Sequence, residues 1–121
     1  MDDLATLIYK QDNSLERIDV SYNSITSYGA EKIFKALKST NVLKTLILSN
    51  NDLSEKEIFY IVGFLKANKS LQKLVLNNCQ LNNTTSKNLC ENIVGNTSLL
   101  TLTLSNNNLT VKLNRMSMLF W

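Results

Sequence analysis

The sequence lacks the residues on which most catalytic and metal sites depend. None of its 121 residues is a histidine, which removes the commonest metal ligand and the commonest general base. The two cysteines, Cys79 and Cys90, are too few for a disulfide framework or a zinc site. Its three glycines are isolated and form no phosphate-binding loop. We therefore expect no enzymatic activity, no cofactor and no metal.

Long apolar runs and strong charge are absent as well. No apolar stretch approaches the roughly 20 residues that a membrane span needs. The first residues carry Asp2 and Asp3 where a secretory signal would carry basic residues. The net charge of +3 is spread along the chain, which argues against nucleic acid or a membrane as partner. These features predict a cytoplasmic protein, and delivery into a host cell by a specialised secretion route stays open.

What the sequence does contain is a repeat. An eleven-residue pattern with apolar residues at its first, fourth, sixth and eleventh positions begins at Leu15, Leu43, Leu71 and Leu99, in steps of 28 residues without a gap. The middle of each copy alternates apolar and polar residues with the period of a strand. A fixed period of this length decides the architecture ahead of any single element.

The segment after each copy has the period of a helix. Apolar residues recur there at i, i+3, i+4 and i+7, as in Ala30, Ile33, Phe34 and Leu37. Charged residues such as Glu57 fall outside this stripe, and Ser27, Ser54 and Thr84 or Thr85 stand where N-caps are expected. Helices need more room than strands, so a stack of such repeats bends, with the sheet on the concave side.

The pattern Leu-x-x-Leu-x-Leu-x-x-Asn/Cys-x-Leu, followed by a helix, resembles the leucine-rich repeat family over residues 15–109. It is most similar to the ribonuclease-inhibitor-like subclass, whose usual helix start is matched by Gly29 and Ala30. The resemblance implies an α/β fold: a short right-handed solenoid with a parallel sheet on the concave face and helices on the convex face. We expect one domain over 1–121, with an incomplete leading half-repeat in 1–14 and an off-pattern tail in 111–121 that caps the stack or associates.

The ninth position of each copy is interpreted as structural. It holds Asn23, Asn51, Cys79 and Asn107. Asparagine side chains hydrogen-bond backbone groups in turns, and here each would bind groups left free where the chain leaves its strand. Cys79 and Cys90 are expected to be buried thiols that pack as small hydrophobes.

The strand positions that alternate away from the core are the candidate binding site. Ile47 and Val75 are expected to be neighbours and to form a small exposed apolar centre. Charged and aromatic residues flank it, as in protein-binding patches. The predicted contact residues are Arg17, Asp19, Tyr22, Ile47, Lys73 and Val75. The alternative is that Ile47 and Val75 only reflect good strand propensity at half-exposed positions.

The function predicted from the residues and the resemblance is a non-catalytic scaffold that binds a protein partner on its concave face. Similar leucine-rich repeat proteins act as inhibitors, adaptors, immune sensors, cytoskeletal cappers and host-directed bacterial effectors. One alternative is that the chain is a fragment of a longer protein or one unit of an oligomer, and that it self-associates through its apolar end, Met118, Leu119, Phe120 and Trp121. Another is regulation of a small GTPase, for which only Arg17 and Arg115 are available as positioned arginines.

Overall fold

Strands and helices alternate along the chain. The computed structural model describes residues 15–38, 40–93 and 95–107. Within them the elements are β1 (Arg17–Asp19), α1 (Ser27–Leu37), β2 (Thr45–Ile47), α2 (Glu55–Ala67), β3 (Lys73–Val75), α3 (Asn83–Ile93) and β4 (Thr101–Thr103). The predicted incomplete half-repeat in 1–14 and the off-pattern tail in 111–121 lie outside the described residues. In the part that is described, no helix is long and apolar enough to cross a membrane.

The four strands form one parallel sheet in the order β1-β2-β3-β4. Ile18 pairs with Leu46, Leu46 with Leu74, and Leu74 with Leu102, so every pair is offset by one repeat. Each connection between neighbouring strands passes through one helix. The predicted α/β repeat fold and its strand register are therefore confirmed.

The core lies between the sheet and the row of helices. The middle residue of every strand is buried, and so are the predicted apolar stripes of the helices. Phe34 of α1 and Phe64 of α2 meet with ring centroids 5.6 Å apart. Because each repeat buries its apolar residues against its neighbours, the repeats depend on one another for stability.

The helix starts differ in detail from the sequence prediction. The N-cap of α1 is Thr26, whose hydroxyl accepts the backbone N–H of Gly29 at 3.1 Å, and Ser27 is already helical. Ser54 is the N-cap of α2 as expected. At the start of α3 the side chain of Asn82 accepts the backbone N–H of Thr85 at 3.0 Å. Thr84 and Thr85 therefore lie inside the helix, and assigning either of them as its N-cap was wrong.

The burial of Glu57 is not explained by the helical pattern. It is buried, although its position falls outside the apolar stripe of α2. The hydroxyl of Ser54 donates a hydrogen bond to the Glu57 carboxylate. A carboxylate in the first turn is further stabilised by the positive end of the helix dipole. These two interactions compensate the burial of a polar side chain that lies outside the apolar stripe.

Candidate functional site: the concave face of the sheet

The concave face is built from the first and third residues of each strand. One row across the sheet contains Arg17, Thr45, Lys73 and Thr101, and the next contains Asp19, Ile47, Val75 and Thr103. Neighbouring strands stand about 4.8 Å apart, so side chains in one row are in contact distance of each other. The 28-residue repeat thus places residues that are distant in sequence side by side.

Ile47 and Val75 form the apolar centre of this face. They are directly paired across β2 and β3. Both side chains are partly exposed. Each side chain is flanked by the other and by Asp19 or Thr103 on the next strand, and such neighbours cover part of its surface.

Charged side chains surround the apolar centre. Arg17 and Lys73 are exposed and share a row, with Thr45 between them. Asp19 is exposed beside Ile47. The backbone N–H of Ser21 donates to the Asp19 carboxylate at 3.0 Å and lowers its pKa, with smaller contributions from the Ser21 hydroxyl and the charge of Arg17. The carboxylate is therefore ionised at neutral pH, and this face carries both signs of charge.

The residues that follow the strands mainly bind one another. The hydroxyl of Ser49 accepts the backbone N–H of Asn77 at 3.2 Å, and Ser49 is buried although its position alternates toward the concave face. The side chain of Asn77 accepts the backbone N–H of Ser105 at 2.9 Å. These bonds join successive repeats. The polar side chains of Ser49 and Asn77 therefore stabilise the fold.

The next residue of every repeat has a left-handed backbone. The φ angles are 60° at Tyr22, 61° at Asn50, 54° at Asn78 and 58° at Asn106. Asparagine tolerates this conformation, whereas a bulky aromatic residue is strained in it. Tyr22 is therefore the exception in the row, and its side chain is 79% exposed. The repeated asparagines were a signal for this backbone geometry that the sequence reasoning did not use.

At the ninth position, Asn51 and Asn107 bind backbone of their own repeat and of the preceding one, whereas Asn23 is exposed and its side chain donates to the Ser21 carbonyl at 2.8 Å. Asn107 accepts the backbone N–H groups of Cys79 and Leu81 at 2.8 and 3.0 Å. Its side-chain NH₂ donates to the carbonyls of Leu76 and Leu104, both at 2.9 Å. The side chain of Asn51 makes the equivalent bonds to the first two repeats.

Cys79 occupies the same position with different bonds. Its thiol donates to the carbonyl of Leu48 at 3.2 Å, and the N–H of Leu53 binds the Cys79 carbonyl at 3.1 Å. Burial raises the pKa of the Cys79 thiol, which hydrogen bonds from Asn51 and Asn50 offset only in part. Burial also raises the pKa of Cys90, to about 11, with the nearby Glu91 adding to the effect. A protonated thiol is a poor nucleophile and metal ligand.

Among the described residues there is no group of three or more His, Cys, Asp or Glu side chains that could hold a metal ion.

The six predicted contact residues lie on the sheet or at its end. They are Arg17, Asp19, Tyr22, Ile47, Lys73 and Val75. The other candidates, Arg115 and the self-association residues Met118, Leu119, Phe120 and Trp121, lie outside the described residues.

The sequence reasoning missed a second set of exposed apolar residues on the helices. Phe59 of α2 is 71% exposed and Tyr28 of α1 is also exposed. The helical pattern predicted charged residues outside the apolar stripes. Phe59 lies off the apolar stripe of its helix, and that mismatch between residue type and position was the available signal.

Comparison with known proteins agrees with this architecture. A family model described as "Leucine Rich repeat" matches residues 11–34 and supports the predicted family, while the narrower subclass stays a prediction. No curated protein matches the sequence. A tropomodulin C-terminal domain from Caenorhabditis elegans is similar with a TM-score of 0.81 and 14% identity, over 98% of this chain and 71% of that chain. Leiomodin-1 actin-binding site 2 has a TM-score of 0.76 and 17% identity, over 98% of this chain and 83% of that chain. Identities this low show a shared fold.

Proposed function

We propose that this chain, a member of the leucine-rich repeat family, binds another protein through its concave face and performs no chemistry itself. The observation that supports this most directly is the paired, half-exposed Ile47 and Val75 with exposed Arg17, Asp19 and Lys73 around them. Protein interfaces combine an apolar centre with a polar rim, and arginine and tyrosine are common among their strongest contacts.

Tyr22 supports the same location. Its side chain is 79% exposed beyond the end of β1, in the repeat that also contributes Arg17 and Asp19. Its backbone is in a conformation that the other repeats fill with asparagine. The fold uses this backbone angle in every repeat, so a strained tyrosine where the other repeats have asparagine is a reason to assign Tyr22 to recognition.

Actin is the first partner to test. One of the similar structures is described as an actin-binding site of leiomodin-1, and it shares the fold with this chain at 17% identity. The shared fold suggests actin as a candidate partner. Binding would depend on the side chains on the surface of this chain. Binding of the full chain to monomeric actin is measured by fluorescence, and binding to filaments is measured by cosedimentation.

Two variants of the apolar centre provide the test of the surface. Ile47→Asp and Val75→Asp each add a carboxylate to the middle of the concave face, and we expect each to weaken binding about tenfold or more, since central contacts dominate affinity. The matched control is Leu100→Asp, which adds the same charge at an apolar residue that is 68% exposed and lies before β4.

The outcomes test separately whether actin is the partner and whether the concave face is the binding site. If Leu100→Asp weakens binding as much as Ile47→Asp, the effect is one of charge and the concave face is not the site. If the wild-type chain binds neither form of actin, actin is rejected. The same three variants then show whether any other partner, found by crosslinking, is lost selectively with Ile47 and Val75.

A further inference from the structure

A groove runs along the outer side of the structure between α1 and α2. It has a volume of about 200 Å³, and its lining includes Phe34, Lys35, Lys38, Phe59, Tyr60 and Gly63. It lies on the helices, across the core from the concave face, so it is independent of the function proposed above.

The floor of the groove is a glycine that helix packing does not require. Gly63 lies within α2, where glycine destabilises a helix relative to alanine. A Cβ atom at this position would meet only the Lys38 Nζ, at an ordinary contact distance of 3.8 Å. The space above Gly63 is therefore open, and the missing side chain deepens the groove.

The wall of the groove is an exposed aromatic residue. Phe59 is 71% exposed, and its ring stands edge-on to that of Tyr60, with centroids 5.7 Å apart. Phe59 lines the groove together with Phe34 and Tyr60, and contiguous apolar surface beside a groove is typical of binding sites. Two features that do not help the isolated fold, the helical glycine and the exposed phenylalanine, thus occur at the same place.

The charges at the groove favour an anionic group. Glu31 is already engaged: Lys35 lies 3.4 Å from one of its carboxylate oxygens, and the Tyr60 hydroxyl donates to the other at 3.5 Å. Lys38 forms no ion pair with any residue in the described ranges, and its Nζ lies beside Gly63. The charge available to a ligand is therefore the positive charge of Lys38.

We propose that this groove binds an acidic segment of another protein, which places one apolar side chain over Gly63 and a neighbouring carboxylate on Lys38. A volume of about 200 Å³ is below the roughly 300–1,000 Å³ typical of small-molecule sites. It suits a single side chain. The aromatic residues on both sides of the groove supply the apolar contact, and Lys38 supplies the selectivity for a carboxylate.

The test uses the full chain and two labelled synthetic peptides, Glu-Glu-Leu-Phe-Glu-Glu and its basic counterpart Lys-Lys-Leu-Phe-Lys-Lys. Binding is measured by fluorescence anisotropy, and the site is located by amide chemical shifts. We expect the acidic peptide to bind at least about tenfold more tightly than the basic one, because like charges on the peptide and Lys38 repel. The shifts should centre on residues around Phe59 and Gly63.

Two variants test the open space over Gly63 and the charge of Lys38 separately. Gly63→Ala fills the floor, so it should weaken acidic-peptide binding about tenfold while raising the folding equilibrium constant by about threefold to fivefold. Lys38→Glu should reverse the preference between the two peptides. The control is Lys66→Glu, an exposed lysine at the equivalent position one repeat later, which should leave binding unchanged.

Several results would overturn the proposal. If the two peptides bind equally tightly, Lys38 does not select for a carboxylate. If Gly63→Ala leaves the affinity for the acidic peptide unchanged, the groove is not the binding site. A loss of stability in Gly63→Ala shows that the glycine is needed for packing. A dimer in light scattering that Gly63→Ala dissociates would assign the groove to a second copy of the chain, in place of an acidic segment.

Discussion

The side chain of Asn51 holds the backbone of Asn23, one repeat earlier, by accepting its N–H at 3.0 Å. The same oxygen accepts the N–H of Ile25 at 3.2 Å, and the side-chain NH₂ donates to the carbonyls of Val20 and Leu48 at 3.1 and 2.9 Å. Asn51 is buried, so removing its side chain leaves these backbone groups without their protein partners. The residue therefore joins two repeats.

We expect Asn51→Ala to lower the free energy of unfolding by about 3 kcal/mol, because several buried backbone groups lose their partners. Urea unfolding followed by circular dichroism measures the loss. The control is Asn23→Ala: Asn23 is exposed and its side chain donates only to the Ser21 carbonyl among the described bonds, so a change within about 0.5 kcal/mol is expected. Equal losses in the two variants would contradict this assignment.

Cys79 holds fewer backbone groups of the preceding repeat than an asparagine does at the same position. We therefore expect Cys79→Asn to strengthen the contact between the two repeats. The equivalent Asn51 and Asn107 each accept two backbone N–H groups of the preceding repeat. We expect Cys79→Asn to raise the free energy of unfolding by about 1 kcal/mol, the size of one ordinary hydrogen bond. Cys79→Ala should lower it, because the Leu48 carbonyl loses its thiol donor. Lower stability in Cys79→Asn would show that the cysteine position has a different local geometry.

Tyr22→Asn should separate stability from binding. Its φ angle of 60° matches those of Asn50, Asn78 and Asn106, so asparagine relieves backbone strain there. A gain of about 1 kcal/mol in the free energy of unfolding is expected, together with weaker binding at the concave face. Tyr22→Phe keeps both the strain and the ring, so it should change neither quantity much. A Tyr22→Asn variant that binds like the wild type would remove Tyr22 from the site.

The stability of the chain should decline at alkaline pH through Cys90. Its pKa in the folded chain is raised from 9.0 to about 11, mainly by burial. The unfolded thiol ionises first, so the stabilising contribution is full below pH 9 and is lost as pH rises toward about 11. Measured against Cys90→Ala, the wild type should lose its advantage across this interval. Parallel pH profiles of the two proteins would contradict the prediction.

The raised pKa values of the two thiols also predict that both cysteines react slowly in the folded chain. Cys79 and Cys90 are both buried, and burial raises both pKa values. The thiolate is the reactive form, so alkylation at neutral pH should be slow in the folded chain and fast in urea. Rapid labelling of folded protein would show that the helix or the turn opens.

The repeat, the strand register and the buried stripes could be predicted from the order of the amino acids alone. A period of 28 residues pairs equivalent positions across a parallel sheet, and for that reason the pattern alone places Val75 beside Ile47. It also places Asn51 and Asn107 where the chain leaves a strand. These features follow from periodicity, because each repeat can bury its apolar face only against the next one.

Features that depend on the packing between repeats could be seen only in the folded chain. The burial of Glu57 follows from a hydrogen bond with Ser54, and no helical period encodes it. The groove over Gly63 exists only because α1 and α2 pack at a distance that leaves space there. Periodicity says which residues share a face, but the exposure of a side chain depends on the size and position of its neighbours in the adjacent repeat. Those distances are set when the repeats stack.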